Sequence, residues 1–512
     1  MSLDSVPPLP SSPARRGLAL GDLIAVILPL ASVLVLGLHF YLASIVSAHF
    51  ALALLLPLTV ISFIVWPRFA LCLLMAGSLF QYFWIGVFMD RITGESEMQA
   101  MSLTNPMVTN VLFLCSCLYL AQRWKGLPYG LKRAFVLGAI FVGVCAVFFV
   151  LGAARESFNS AFLYLRTYSG ALIYLVLGAA FGLRLPFASV LKLLTPFGLL
   201  LAVYGYVEML YPYDLYAFVH LTDFLHMKFA SISNGHANLV FYGIEDTMDF
   251  LTVPFLNLSG TFGLSVSALR LVGPLFHFIS YGYALAFFFL IGVISGRLWV
   301  GLLMVPVFVM IGAKGPIMLV LFTLGALLIN RVFPDVSKTL KTLNVVLVLY
   351  ACAVIAYGIA SHDNHFDGFM SCVRGFLGNP LGHGVGVGGN MSDTSTKAQQ
   401  AGRDLMAAVG DFPVESAIGV LMYQAGAAGL LSFLLFWRWI SRQARAFAIE
   451  TQQQQVGKVT VIVLPAVLAI LLVNALFQEE VFAPTGWGFW LLLIGVVLAR
   501  RTQGGFESGA SS

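Results

Sequence analysis

Four cations stand where an apolar chain seldom puts them: Arg166, Arg270, Lys314 and Arg374. Each lies inside or at the edge of a long apolar run, where a charge is costly unless it is paired or solvated. Arginine keeps its proton and donates two parallel hydrogen bonds to phosphate oxygens. A diphosphate is the anion that such a set suits best. Arg374 also leads into Asn379, Pro380, Leu381, Gly382, His383, Gly384, Val385 and Gly386, a polar turn held between apolar runs. Its glycines permit positive φ and close approach of backbone to a ligand. Plainer roles compete: an ion pair of Arg166 with Glu156, a loop lysine at 314 reaching for the headgroups, and a flexible hairpin at 379–389.

If a lipid-linked diphosphate is the donor, the acceptor hydroxyl must lose a proton as it attacks, so a carboxylate or imidazole has to stand within hydrogen-bond reach. Glu415 and His383 are the two candidates, with His362, His365 and Asp411 in the same loop. The competing roles are a first-turn acid facing the helix dipole for Glu415 and a turn-capping ring for His383. His277 reads as a mid-span core histidine. There is no CxxC pair and no HExxH, so neither a metal nor another cofactor is expected. The turn is not a dinucleotide fingerprint, because no strand precedes it.

The elements that must position these groups are membrane helices. The chain is 59% hydrophobic and only 10% charged, too poor in charge to cover a water-soluble domain of 512 residues. About fourteen apolar runs are each long enough to span hydrocarbon as a helix. They lie near 20–47, 50–66, 69–89, 106–122, 134–153, 159–182, 187–211, 272–296, 298–313, 316–333, 343–360, 415–437, 459–477 and 483–499. The fold class expected is an all-α polytopic membrane protein. A tail at 1–17, one transmembrane domain at 18–499 and a tail at 500–512 make up the chain, with large loops near 212–271 and 361–414.

With both tails inside, 19 of the 28 Lys and Arg fall on the cytoplasmic side, as short loops require. The net charge of +5 therefore records orientation and implies no nucleic acid partner. Aromatic stretches of the first loop suit the membrane interface. In the second, 394–409 reads as a short helix capped by Ser392 or Asp393.

At these residues the chain resembles the O-antigen ligase/polymerase superfamily of bacterial inner-membrane glycosyltransferases. The resemblance rests on Arg374 ahead of the Asn379–Gly386 turn, on Arg270, Gly273 and His277 leading into a span, and on Lys314 where the family usually has Ser–Arg. It covers roughly 160–435 and implies a WaaL-like fold, a donor and an acceptor carried on undecaprenyl diphosphate, and metal-independent inverting transfer on the periplasmic side. Ligases of the family carry a His–Asn pair after the large loop. Glu415 and Ser416 stand there instead, so the chain looks more like the Wzy-type polymerases, which join repeat units.

Taken with the residue reading, the resemblance places Arg166, Arg270, Lys314 and Arg374 on the diphosphate and Asn379, Gly382, Gly384 and Gly386 in a substrate loop; the departure from the ligase pair leaves the base unassigned by the family, with Glu415, or else His383, as the candidate. Its implied partners are the two lipid-linked glycans, membrane lipid, a chain-length regulator and a flippase. Two rival expectations stand: a ligase moving polymer to lipid A core, and a flippase that forms no bond. The absence of an internal repeat and the crowding of charge at one face argue against the flippase.

Overall fold

The computed structural model describes residues 20–233, 243–254, 267–361, 364–392, 415–453 and 460–500. The chain is predominantly helical. The first half holds α1 (Leu20–Ile45), α2 (Ala48–Val65), α3 (Pro67–Val87), α4 (Glu95–Ser102), α5 (Thr104–Gln122), α6 (Tyr129–Arg155), α7 (Phe158–Arg184) and α8 (Phe187–Leu210). Three short helices follow: α9 (Pro212–Phe218), α10 (Leu221–Ser233) and α11 (Ile244–Leu251). The second half holds α12 (Phe278–Ile294), α13 (Leu298–Ile311), α14 (Lys314–Val332), α15 (Val336–Ser361), α16 (Asn364–Gly378), α17 (Ala417–Gln453), α18 (Thr460–Asn474) and α19 (Phe489–Arg500).

Among the described residues, ten helices are long and apolar enough to cross a membrane, and four shorter apolar helices occupy the remaining apolar runs. This is a multi-pass membrane protein. Its outward surface carries the mark of a hydrocarbon solvent: Leu34, Leu38, Leu118, Val147, Val150 and Leu349 are large, apolar and exposed. Water would penalise so much apolar surface, whereas lipid does not.

The centre is different. Every residue of α19 from Phe489 to Ala499 is buried, as is most of α12. Helices that are apolar all round belong in such a position. Between helices in lipid, close packing must replace the hydrophobic effect, and small residues permit it. A Cβ on Gly178 of α7 would run into the Leu492 carbonyl of α19, and one on Gly495 would meet the backbone of Leu175 and Ala179.

The two expected loops carry structure of their own. The first contains α9, α10, α11 and an antiparallel pair, β1 (Thr252–Pro254) with β2 (Ser267–Leu269), in which Thr252 faces Leu269. These two three-residue strands are the one β pairing among the described residues of an otherwise helical chain. The second loop begins with α16. The helix expected at 394–409 lies outside the described residues, as do His362, Asp411 and the tail 1–17. Arg500 closes α19 and donates from Nε to the carbonyls of Gly182 and Leu185.

Candidate functional site

The glycine turn is built into the helices. α17 is broken at Gly426 (φ 59°, ψ −158°). A break inside an apolar helix strands backbone groups that lipid cannot satisfy. The turn supplies their partners: His383 N donates to Tyr423 O (3.0 Å), Gly384 N to Gln424 O (2.9 Å) and Ala427 N to Pro380 O (2.9 Å). Asn379 Nδ2 closes the turn on Gly382 O at 3.0 Å.

The glycines are required here, though for contact with helices rather than with a ligand. Gly384 (φ +110°) and Gly386 (φ +96°) sit where a Cβ would lie 2.6 Å from Gly152 N of α6 and 2.5 Å from Ala161 N of α7. Val385, between them, donates to Phe148 O at 2.9 Å. The turn is thus wedged between α6, α7 and α17, and it carries the chain on to Asn390 and Met391.

Those two residues lead to the site. Asn390 N donates to Glu479 Oε2 (3.0 Å) and Met391 N to the Tyr164 hydroxyl (3.1 Å), and that hydroxyl donates to Glu479 Oε1. Glu479 begins a 3-10 turn, Glu479–Phe482, between α18 and a π-turn at Pro484–Gly488 that runs into α19. Burial pushes its carboxyl up to about 7, with further upward push from Glu480 and Glu415 against the pull of its two hydrogen bonds.

Glu479 and Glu480 line a cavity of about 480 Å³, within the ordinary size of a ligand site. Its lining includes two cations, Arg166 from α7 and Lys228 from α10, and the ring of His277 at the start of α12. Burial holds Lys228 below the usual lysine range. The polar residues that α3 and α5 contribute are uncharged: Ser78, Gln81, Asn105, Thr109 and Asn110.

Of the four cations expected to converge, Arg166 reaches this cavity, and the other three are not among its lining residues. Each is placed elsewhere by its element. Arg270 follows β2, donates its N–H to Leu251 O (2.9 Å), and lays its guanidinium 4.7 Å from the centre of the Phe278 ring. Lys314 is the exposed first residue of α14. Arg374 is exposed on α16. Among the described residues, no carboxylate forms an ion pair with Arg166.

The two expected bases also stand outside the cavity lining. His383 stacks on Tyr423 (3.9 Å between centres, 8° between planes), with Nδ1 3.1 Å from Tyr423 O. Its carbonyl accepts from Arg155 at 3.1 Å. Glu415 precedes α17 by two residues in a left-handed conformation (φ 63°), so it is not the first-turn acid expected. It remains near enough to raise the pKa of Glu479.

His277 is corrected as well. It is the N-cap of α12, not a mid-span residue, and its Nδ1 accepts from Ser280 N at 3.2 Å. A neutral ring in that arrangement carries its proton on Nε2, a donor available to a ligand.

Glu208 holds this corner in place. Wholly buried near the end of α8, it accepts from the Tyr216 hydroxyl (2.8 Å), Val272 N (2.7 Å) and Gly273 N (3.0 Å). The clamp fixes the 271–276 connection, and with it both Arg270 and His277. Glu208→Gln turns one acceptor into a donor facing donors. We expect a loss of about 2 kcal/mol, read as a lower midpoint of thermal unfolding in detergent.

Sequence reasoning singles out none of Glu479, Glu480, Asn105, Asn110 and Glu208 as site residues. The signal for the first pair was present: two adjacent carboxylates in a connection of a few residues between apolar runs. Comparison with family models, curated proteins and solved structures returns no match.

Proposed function

We propose that this chain is an inner-membrane glycosyltransferase of the polysaccharide-polymerase kind, with about fourteen spans, both termini cytoplasmic and the cavity end facing the periplasm. It transfers a growing glycan from undecaprenyl diphosphate to a hydroxyl of a lipid-linked repeat unit. One observation carries the reading: a single cavity of about 480 Å³ joins Arg166 and Lys228 to the buried carboxylate of Glu479. Cations in the lining suit a departing diphosphate, and a carboxylate in the same cavity suits a hydroxyl that must lose its proton.

Arg166 takes the diphosphate in the cavity. Arg270, Lys314 and Arg374 act at a distance from it, drawing an anionic headgroup toward the same end of the bundle. Asn379, Gly382, Gly384 and Gly386 hold the turn that delivers Asn390 to Glu479. Glu415 tunes the Glu479 carboxyl through its charge, and His383 braces the break in α17. Fixed charge from arginine does the work that a metal ion does elsewhere, so the transfer runs in EDTA. Because both substrates are tethered in one bilayer, positioning contributes much of the rate.

Deletion in the host separates this reading from its rivals. Loss of a polymerase leaves glycolipid bearing one repeat unit. Long lipid-linked polymer would instead mark a ligase, and repeat units trapped on the cytoplasmic face would mark a flippase.

A further inference from the structure

Resting on the polymerase reading, we infer that the cavity is the acceptor-sugar site, with the uncharged α3–α5 lining holding the sugar and Glu479 taking the proton of its attacking hydroxyl. The lining differs in chemistry from element to element, with cations on α7 and α10 and uncharged polar side chains on α3 and α5. Cations are the natural partners of phosphate, whereas sugar hydroxyls, which both donate and accept, are best met by amides and hydroxyls.

The α3–α5 lining is pre-oriented. Gln81 Nε2 donates to Ser102 O (3.0 Å), and Gln81 Oε1 accepts from Asn105 N (2.6 Å). Asn105 Oδ1 accepts from Thr109 at 3.3 Å, which leaves Nδ2 as its donor, and Ser78 gives its hydroxyl proton to Leu74 O at 2.9 Å. Asn110, exposed one turn further along α5, also lines the space.

Glu479 is only 7% exposed yet opens on this cavity. Each oxygen accepts one hydrogen bond, from Tyr164 and from Asn390 N, so each keeps a second lone pair. Titratable groups reach the carboxylate from several elements. Glu480 adjoins it in the chain and Glu415 precedes α17, and both push its pKa up; Tyr164 on α7 donates to it, and the charge of Glu479 in turn acts on Tyr168 of α7 and Cys372 of α16. Arg166, Lys228 and His277 share its cavity.

The step balances. The acceptor oxygen bonds to the anomeric carbon of the donor glycan as its proton passes to Glu479. The bond from that carbon to the diphosphate breaks, and the electron pair leaves on the lipid diphosphate, whose charge Arg166 offsets. Only ionised Glu479 can accept a proton. With its pKa pushed up to about 7, transfer should therefore rise as pH increases through that value and fall below it.

The test uses the full chain in detergent with lipid-linked repeat units. Asn110→Ala should raise the acceptor KM about tenfold with kcat little changed, the loss of one good hydrogen bond. Glu479→Gln should slow transfer by about 10²–10⁴-fold and flatten the pH profile, while binding of undecaprenyl diphosphate persists. Should that variant not fold, Glu479→Asp keeps a carboxylate and should keep a pH-dependent limb at reduced rate, and the wild-type profile should show its limb near 7. Two results overturn the inference: an active wild type without that limb, or variants that match the wild type in rate and acceptor KM. A wild type that forms no glycosidic bond refutes the polymerase reading itself.

Discussion

Arg166→Ala should abolish polymer formation while leaving the protein folded. Arg166 is exposed into the cavity from two turns inside α7, and among the described residues no carboxylate pairs with it. Its removal thus leaves no buried anion stranded, and the fold has little reason to suffer. The chemistry does. A fixed cation aimed at a leaving diphosphate acts in a poorly hydrated site, and loss of one such donor typically costs about 10²–10³ in rate. Arg166→Lys should recover only part of this, because an ammonium lacks the two-pronged donor of a guanidinium. Polymer yield per mole of purified protein, beside an unchanged elution profile, checks both expectations. Wild-type yield from the alanine variant would remove Arg166 from the site.

Gly426→Val should have the largest effect on stability. The break in α17 places Gly426 at φ 59°, ψ −158°, a region that is nearly glycine-only. A Cβ there would lie 2.5 Å from the Leu381 carbonyl carbon and the Pro380 oxygen. Strain of a few kcal/mol adds to a backbone clash, so the total should be about 4 kcal/mol or more. The damage should also spread. Pro380, His383 and Gly384 all bond to the broken segment, and the same strand of chain delivers Asn390 to Glu479. Thermal unfolding in detergent should drop by many degrees, and transfer should fail even below the new midpoint. A variant with an unaltered midpoint would show that the break is dispensable.

The membrane helices were legible in the sequence because hydropathy reports the solvent directly: among the described residues ten apolar helices are long enough to span, and four shorter ones fall on the remaining apolar runs. The site was less so. Tyr164 and Glu479 are 315 residues apart, and no local pattern announces that their side chains meet. Arg166 could be picked out because a cation two turns into an apolar helix needs a reason. Arg270, Lys314 and Arg374 were grouped with it on charge alone, which carries no information about where their elements dock. Glycine spacing at 382–389 marked positive φ, and the close approach expected toward a ligand is made toward neighbouring helices, the backbone of α6, α7 and α17. The break at Gly426 left still less trace, since a lone glycine within an apolar run is also common at ordinary helix contacts.

The most direct test is to incubate the purified chain, in detergent and EDTA, with lipid-linked repeat units extracted from cells that lack it, and to follow products by mass spectrometry. A ladder spaced by one repeat unit, abolished in Arg166→Ala, is the predicted result. Substrate recovered unchanged by a folded wild-type protein, or moved across a proteoliposome bilayer with no new glycosidic bond, would contradict the account.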